Sequence, residues 1–320
     1  MTMELARAHT VPKPWGVADV RPWSRATNEG LLIGEISYER PNLPGSGSSL
    51  LLKVLLTGKP LSIQVHPDDD AARAMGLSNG KTEAWYILCA APGAAVALGL
   101  KRSMTPLQLR ASILDGSIAD RVAWREVAPG DIIVVPAGTI HAIGAGLVIA
   151  EIQQRSGTTF RLFDYGRNRE LHIESALAAA NTGPTELQSW PDELTNERSV
   201  LVENPYFVFE RIKLPPNSSW SLHAKQETWI LIVAGGASAG TFSIVAGEAL
   251  FVEADRVDLG VGTNGLVALV AYVAAGGPVV ELLQRVNNCR PTAVLNPPAP
   301  EPSPFTAQLK SSPVHRGTCL

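Results

Sequence analysis

Punctuation constrains this chain more than any other property. Short apolar and β-branched runs recur along it, punctuated by glycine and proline: "LLIGEISYE", "SLLLKVLLTG", "LSIQVHP", "AWYILCA", "AAVALGL", "DIIVVPAG", "LVIAEIQQ" and "TTFRLFDYG". Regularly spaced short strands with turn signals between them suggest a mainly β chain folded as a sandwich or barrel. Apolar residues make up 45% of the 320 and charged residues 18%, which is a core-forming balance. That length suits two domains or one large β domain.

Helical signals are few. In "TPLQLRASILDG", Thr105 is placed to cap a helix that has Pro106 in its first position and Gly116 near its end. The following "SIADRVAW" extends the expected helical segment to about residue 124, and "LHIESALAAAN" is another candidate. The texture loosens after Asn181 through "TGPTELQSWPDELTNERS", as a linker would. A second β-rich stretch runs from about Val200 to Val286, and its "VAGEALFVEAD" parallels "VAPGDIIVVPAG" in the first. We therefore expect a first domain over 1–195, a second, degenerate copy of the barrel over 196–286, and a disordered tail rich in Pro and Ser over 287–320.

Several classes of function are disfavoured. The formal net charge is -3 with no basic block, which argues against a nucleic-acid partner. Leu259 to Val280 is uncharged and long enough to span a bilayer, but its "TNG" and "AAGGP" turns favour two short buried strands. The beginning of the sequence carries no apolar core of signal-peptide type. Cys89, Cys289 and Cys319 are odd in number and widely spaced, so no disulfide framework is implied. Cys89 is expected as a buried thiol, and a reducing, cytoplasmic setting fits.

The chemistry concentrates in a few polar groups. Gln64 and His66 are two apart in "SIQVHPDD", Glu83 follows in "GKTEAWYIL", and His141 stands behind a turn in "VPAGTIHAIG". Side chains two apart on a strand share a face, so Gln64 and His66 can reach one ion if that face lines a barrel. Lys81 shares a face with Glu83 if the strand begins that early. Taken singly, Gln64 would be a partly exposed strand residue, each histidine a structural one, and Glu83 a solvated or paired carboxylate. Taken together, two imidazoles, a carboxylate and an amide suit zinc and its first-row neighbours, with room for water or substrate. Arg161 alternates with Thr159 and Phe163 in "TTFRLFDYG". It is either an arginine paired with a nearby acid or a cation facing the cavity and suited to phosphate, and spacing does not choose between these. His223 lacks a partner histidine two residues away, which fits a second barrel without a metal.

Together with "KPWG" (Lys13 to Gly16), these motifs resemble the type I mannose-6-phosphate isomerases, most closely their short bacterial branch. The resemblance covers the first 180 or so residues strongly and the second β stretch in general shape. It implies cupin (jelly-roll) barrels, a metal-binding N-terminal one with a helical insertion and a degenerate second one. It further implies one zinc ion per chain, held by Gln64, His66, Glu83 and His141, with Arg161 as the essential arginine and Lys81 in substrate binding or proton transfer. The expected partner is a small hexose phosphate, with neither nucleic acid nor membrane involved, and the expected state is a monomer or homodimer. The expected reaction interconverts mannose 6-phosphate and fructose 6-phosphate through a cis-enediol. The alternatives are another sugar-phosphate isomerase on the same fold, a cupin metal dioxygenase, and a non-catalytic sugar-binding cupin. One departure stands out: relatives usually carry aspartate where this chain has Gly157. Arg155 likewise replaces a small polar residue.

Overall fold

A computed structural model describes residues 2–25, 30–41, 47–186 and 192–286. The expected tail over 287–320 lies outside the described residues, as does part of the expected linker, 187–191. The chain opens on β1 (Thr2–Leu5) and continues through β2 (Arg7–Val17), β3 (Ile33–Glu39), β4 (Leu50–Thr57), β5 (Ile63–Val65), β6 (Glu83–Ala90), β7 (Ala95–Leu100), β8 (Val122–Glu126), β9 (Ile132–Val135), β10 (His141–Ile143), β11 (Leu147–Gln154) and β12 (Phe160–Phe163). All but β1 form two sheets, one ordered β2-β3-β4-β11-β6-β9 and the other β12-β5-β10-β7-β8. Their inner faces share a core of Trp85, Ile87, Leu55, Ile133 and Ile149 from the first sheet with Val96, Leu98 and Ile143 from the second. This is the first barrel.

Helices α1 (Asp69–Ala74), α2 (Pro106–Leu114), α3 (Ile118–Arg121) and α4 (Ile173–Ala179) accompany it. Thr105 and Gln108 form a reciprocal capping box at the start of α2, with Pro106 in the first turn. Leu109, Ile113, Ile118 and Ala176 pack on Ile63, Val65, Phe160 and Leu162, which covers the outer face of the β5–β12 sheet. The helical expectation ran too far at its C-terminal end. Helix α3 stops at Arg121, and Val122 starts β8 by pairing with Leu100. Val122 is fully buried there, so sheet pairing and burial outweigh a weak helical preference.

The remaining strands are β13 (Asp192–Thr195), β14 (Arg198–Glu203), β15 (Phe207–Leu214), β16 (Ser219–Ala224), β17 (Thr228–Ala239), β18 (Phe242–Val245), β19 (Ala249–Glu253), β20 (Asp255–Val273) and β21 (Leu283–Arg285). With β1 they make a ten-stranded sheet around a core of its own that includes Ile230, Leu250, Val257 and Val270. Thus β1 and β13, both within 1–195, pair with strands of this later sheet. Where two strands were expected between Leu259 and Val280, there is one 19-residue strand. Its first part pairs with β16 and its second with β15, while β17 runs beside both. No helix of the described residues is long and apolar enough to cross a membrane.

A third core joins the two units. Tyr38, Leu52, Val54, Tyr86 and Ile152, on the outer face of the six-stranded sheet, pack against Phe207, Phe209, Trp229 and Phe251 of the later sheet. Strands of the six-stranded sheet are therefore covered on both faces, and β11 is buried at every position. Cys89 is buried and disulfide-bonded, which corrects the expectation of a free thiol and removes that argument for a reducing compartment.

Candidate metal centre

Strand alternation carries the polar groups inward. On β6, Ala84 and Tyr86 join the core between the two units, so Glu83 and Trp85 face the barrel interior. On β5, Ile63 and Val65 point to the helices, which turns Gln64 inward. Cross-strand pairing then sets Arg161, Gln64 and His141 in one row across the smaller sheet, Arg161 opposite Gln64 and Gln64 opposite His141. Gln153 is opposite Glu83 on the facing sheet. His66 lies one residue past β5, and His141 opens β10.

The groups meet. Ligand atoms of His66, Glu83 and His141 all lie within 4.8 Å of one another, and it is the one such group among the described residues. His66 Nε2 is 3.6 Å from Glu83 Oε2, and His141 Nε2 is 3.4 Å from Glu83 Oε1. Each ring is oriented by a backbone carbonyl: Nδ1 of His66 donates to Thr158 O at 2.8 Å, and Nδ1 of His141 to Thr139 O at 2.8 Å. That tautomer leaves both Nε2 lone pairs facing the carboxylate, the arrangement that metal-binding histidines adopt. Trp85 packs edge-on to His141 with ring centroids 5.6 Å apart. Gln64 Nε2 comes to 3.2 Å from His141 Nε2, while its Oε1 accepts from Ser62 at 3.2 Å. Turning the amide over would present the oxygen instead, with no change of shape.

Lys81 precedes β6 rather than lying within it, but it still reaches Glu83. Its Nζ is 3.0 Å from Glu83 Oε2 and donates to His66 Nε2 at 3.1 Å. Despite that ion pair, both Glu83 oxygens are buried without a hydrogen bond of good geometry. Burial pushes the Glu83 carboxyl up to about 7, against the pull of the Lys81 ammonium. Burial likewise pulls His141 down to about 4, and burial together with the Lys81 charge holds His66 well below its usual range. The group is thus two neutral imidazoles and an under-satisfied carboxyl, a nitrogen–nitrogen–oxygen set that fits a divalent ion.

Arg161 is half-buried and makes no ion pair among the described residues. Its guanidinium donates to Glu170 O at 3.1 Å, and its backbone N–H donates to His172 Nδ1 at 3.1 Å. The nearest acid in sequence, Asp164, pairs instead with Arg167 and Arg169. This leaves the Arg161 charge available to an anion. Gly157 is exposed, and a Cβ placed there would meet nothing within 4 Å.

Sequence reasoning missed a second polar row. Lys53, Glu151 and Gln153 also face inward; Lys53 Nζ is 3.5 Å from Glu151 Oε1 and donates to Gln153 Oε1 at 3.0 Å. Trp85 Nε1 donates to Glu151 Oε2 at 3.1 Å. Burial raises the Glu151 pKa, but the Lys53 and Lys81 charges outweigh it, so this carboxyl sits below its ordinary value. Two neighbouring carboxyls pushed in opposite directions are a mark of acid–base sites. The available signal was a lysine and a glutamate set within otherwise apolar runs, "LLLKVLL" and "LVIAEIQQ". A strand covered on both faces tolerates such residues only where they are paired.

No protein-family model matches the chain. The mannose-6-phosphate isomerase of Streptococcus mutans is 32% identical over 243 residues, 72% of this chain and 74% of that protein. The mannose-6-phosphate isomerase ManA of Bacillus subtilis is 32% identical over 230 residues, covering 67% of each chain. Among solved structures, a Bacillus subtilis mannose 6-phosphate isomerase superposes with a TM-score of 0.72 at 22% identity, covering 85% of this chain and 99% of that one. The apo form of the Salmonella typhimurium enzyme gives a TM-score of 0.68 at 16% identity, covering 86% and 100%. These likenesses establish the fold, the mainly β cupin architecture of phosphomannose isomerases. The sequence relatives reach further, and with them the chain belongs to the mannose-6-phosphate isomerase family.

Proposed function

We propose that this chain interconverts D-mannose 6-phosphate and D-fructose 6-phosphate through a cis-enediol, with one zinc ion held by His66, Glu83 and His141 and joined by the Gln64 amide. The observation that carries this is the buried, under-satisfied Glu83 between two imidazoles whose tautomers are set by Thr158 and Thr139. Bound there, the ion would supply Lewis acidity to the sugar oxygens and favour negative charge developing between C1 and C2.

The chain's own groups supply the rest. Arg161 offers an unpaired cation in the same row as Gln64 and His141, suited to the phosphate or to the developing oxyanion. Lys81 moves the proton. Burial disfavours its ammonium, but Glu83 and Glu151 outweigh burial and its pKa is raised. When Glu83 serves a cation instead, that support weakens, and burial draws Lys81 toward the neutral amine that can accept a proton. A coupled assay of mannose 6-phosphate turnover, with chelator and then with zinc restored, tests the reading. Turnover should vanish and return, and no turnover with zinc present would overturn it.

Two further outcomes follow from the site. Below pH 7 Glu83 carries a proton that an entering ion must displace, whereas both histidines are already neutral. Apparent zinc affinity should therefore rise about tenfold per pH unit up to about pH 7 and then flatten. Competitive zinc titrations between pH 5.5 and 8 would show this; a slope of two or more protons would contradict it. The second concerns Gly157, which is exposed next to Thr158 and where a Cβ would meet nothing within 4 Å. Gly157→Asp should change stability by no more than about 0.5 kcal/mol, as open surface substitutions do. It should also raise kcat/KM several-fold by restoring the carboxylate that the family resemblance leads one to expect there. An unchanged or lower kcat/KM in a normally folded variant would show that this chain has dispensed with that group.

A further inference from the structure

We propose that the second unit positions the metal set of the first, through Tyr206 and Glu227 acting on the two segments that carry the neighbours of His66 and Glu83. The inference rests on reading His66, Glu83 and His141 as the metal set.

Tyr206 begins one route. It precedes β15, and its hydroxyl lies beside Asp69 of the first unit, where burial and the Asp69 charge hold its pKa above the ordinary value. Asp69 Oδ1 also accepts from Gly80 N at 2.8 Å and from Gln154 Nε2 at 3.1 Å. Gln154 Oε1 in turn takes Thr82 N at 2.8 Å. Asp69 therefore holds both sides of Lys81 just before the strand that starts at Glu83. The fit is close: a Cβ on Gly80 would come within 2.5 Å of the Asp68 backbone. Lys81 N donates to Pro67 O at 3.0 Å, next to His66.

The other route starts at Glu227, which is buried just ahead of β17. Its carboxylate accepts from Ser48 Oγ at 2.5 Å, Ser49 N at 2.5 Å, Leu50 N at 2.9 Å and Trp229 Nε1 at 3.0 Å. The loop it holds is gripped from its other side by Arg155, whose Nε donates to Ser48 O at 2.6 Å and whose second amine donates to Leu50 O at 3.2 Å. Arg155 N donates to Ser49 O at 2.9 Å. Arg155 opens the turn that ends at Thr158, the residue whose carbonyl orients His66. This gives Arg155 a physical role.

Hydrogen bonds behind a ligand set its orientation, and losing one costs 10–100-fold in metal affinity at the nearest layer. One layer further out, the effect should be about tenfold or slightly less. Tyr38 provides the control. Its hydroxyl crosses between the units to Gly247 O at 2.8 Å, but that contact leads to no segment of the metal site.

The test uses the full chain with three variants, Tyr206→Phe, Glu227→Gln and Tyr38→Phe. Zinc dissociation constants are measured by competition with a chromophoric chelator, together with the visible spectrum of the cobalt(II)-loaded chain and the melting temperature without metal. Tyr206→Phe and Glu227→Gln should each weaken zinc about five- to tenfold and shift the cobalt bands. Tyr38→Phe should keep zinc affinity within about twofold of wild type, even where it lowers the melting temperature as much. If Glu227→Gln does not fold, Tyr206→Phe, at a half-buried position, carries the test alone. Unchanged zinc affinity and cobalt spectrum in Tyr206→Phe would overturn the inference while leaving the metal reading intact, and so would an equal loss in Tyr38→Phe. A wild-type chain that holds no zinc would overturn the metal reading, and this inference with it.

Discussion

Replacing His141 with alanine should remove tight zinc binding and lower mannose 6-phosphate turnover at least about a thousandfold. His141 is fully buried, 3.4 Å from Glu83 Oε1 and 3.2 Å from Gln64. Without it, the set falls to one imidazole, one carboxyl and the Gln64 amide, and Lys81 is the nearest remaining charge to Glu83. A thousandfold loss corresponds to about 4 kcal/mol, the size expected when a preorganised electrostatic partner is removed from a dry site. The cavity left beside Trp85 should also destabilise the metal-free chain, by about 1–3 kcal/mol. Metal content after dialysis and a coupled assay with excess zinc separate these effects. A folded His141→Ala protein that retains both zinc and more than a tenth of wild-type turnover would sink the ligand assignment.

The fold was legible where local rules act alone. Glycine and proline marked strand ends in "SLLLKVLLTG", "LSIQVHP" and "TTFRLFDYG", although Gly99 lies inside β7, and Thr105, Pro106 and Gln108 marked the start of α2. Reading failed where partners distant in sequence decide. Val122 leaves a helical stretch because Leu100 offers a sheet edge. The "TNG" segment does not end a strand, because β17 continues its ladder on both sides, at Val261 and at Leu266. The same reasoning divides the site. Gln64, His66, Glu83 and His141 stood out because they lie at or near strand ends beside turns. Lys53, Glu151 and Gln153 lie within strands, where a polar residue reads as the solvent side of an alternating pattern. The smaller sheet closes over that side, while the second unit packs Phe207 and Trp229 onto the opposite, apolar side of the six-stranded sheet. The polar positions are then interior ones.

Lys81→Met should move activity and metal affinity in opposite directions, which distinguishes a proton-moving lysine from a structural one. Lys81 is buried, with Nζ 3.0 Å from Glu83 Oε2 and 3.1 Å from His66 Nε2. Its ammonium therefore competes for the lone pairs an ion would use, and it repels that ion. Methionine keeps the apolar stem and removes the charge, so zinc affinity should hold or rise several-fold, since a well-screened unit charge at this range contributes about 1 kcal/mol. Turnover should fall by about 100-fold or more, the range lost with a positioned acid–base group. Exchange of the substrate's C2 proton with solvent should fall in step. The substitution also takes the nearest counter-charge from Glu83, whose carboxyl already sits at about 7, so its pKa rises further. An acid with a folded pKa above its unfolded one stabilises the chain at low pH and loses that contribution as pH rises. The metal-free variant should accordingly lose more stability than wild type between about pH 5 and pH 8, and zinc should restore it. Near-normal turnover in Lys81→Met would remove Lys81 from the proton path. Loss of zinc together with activity would make Lys81 a support of the metal set.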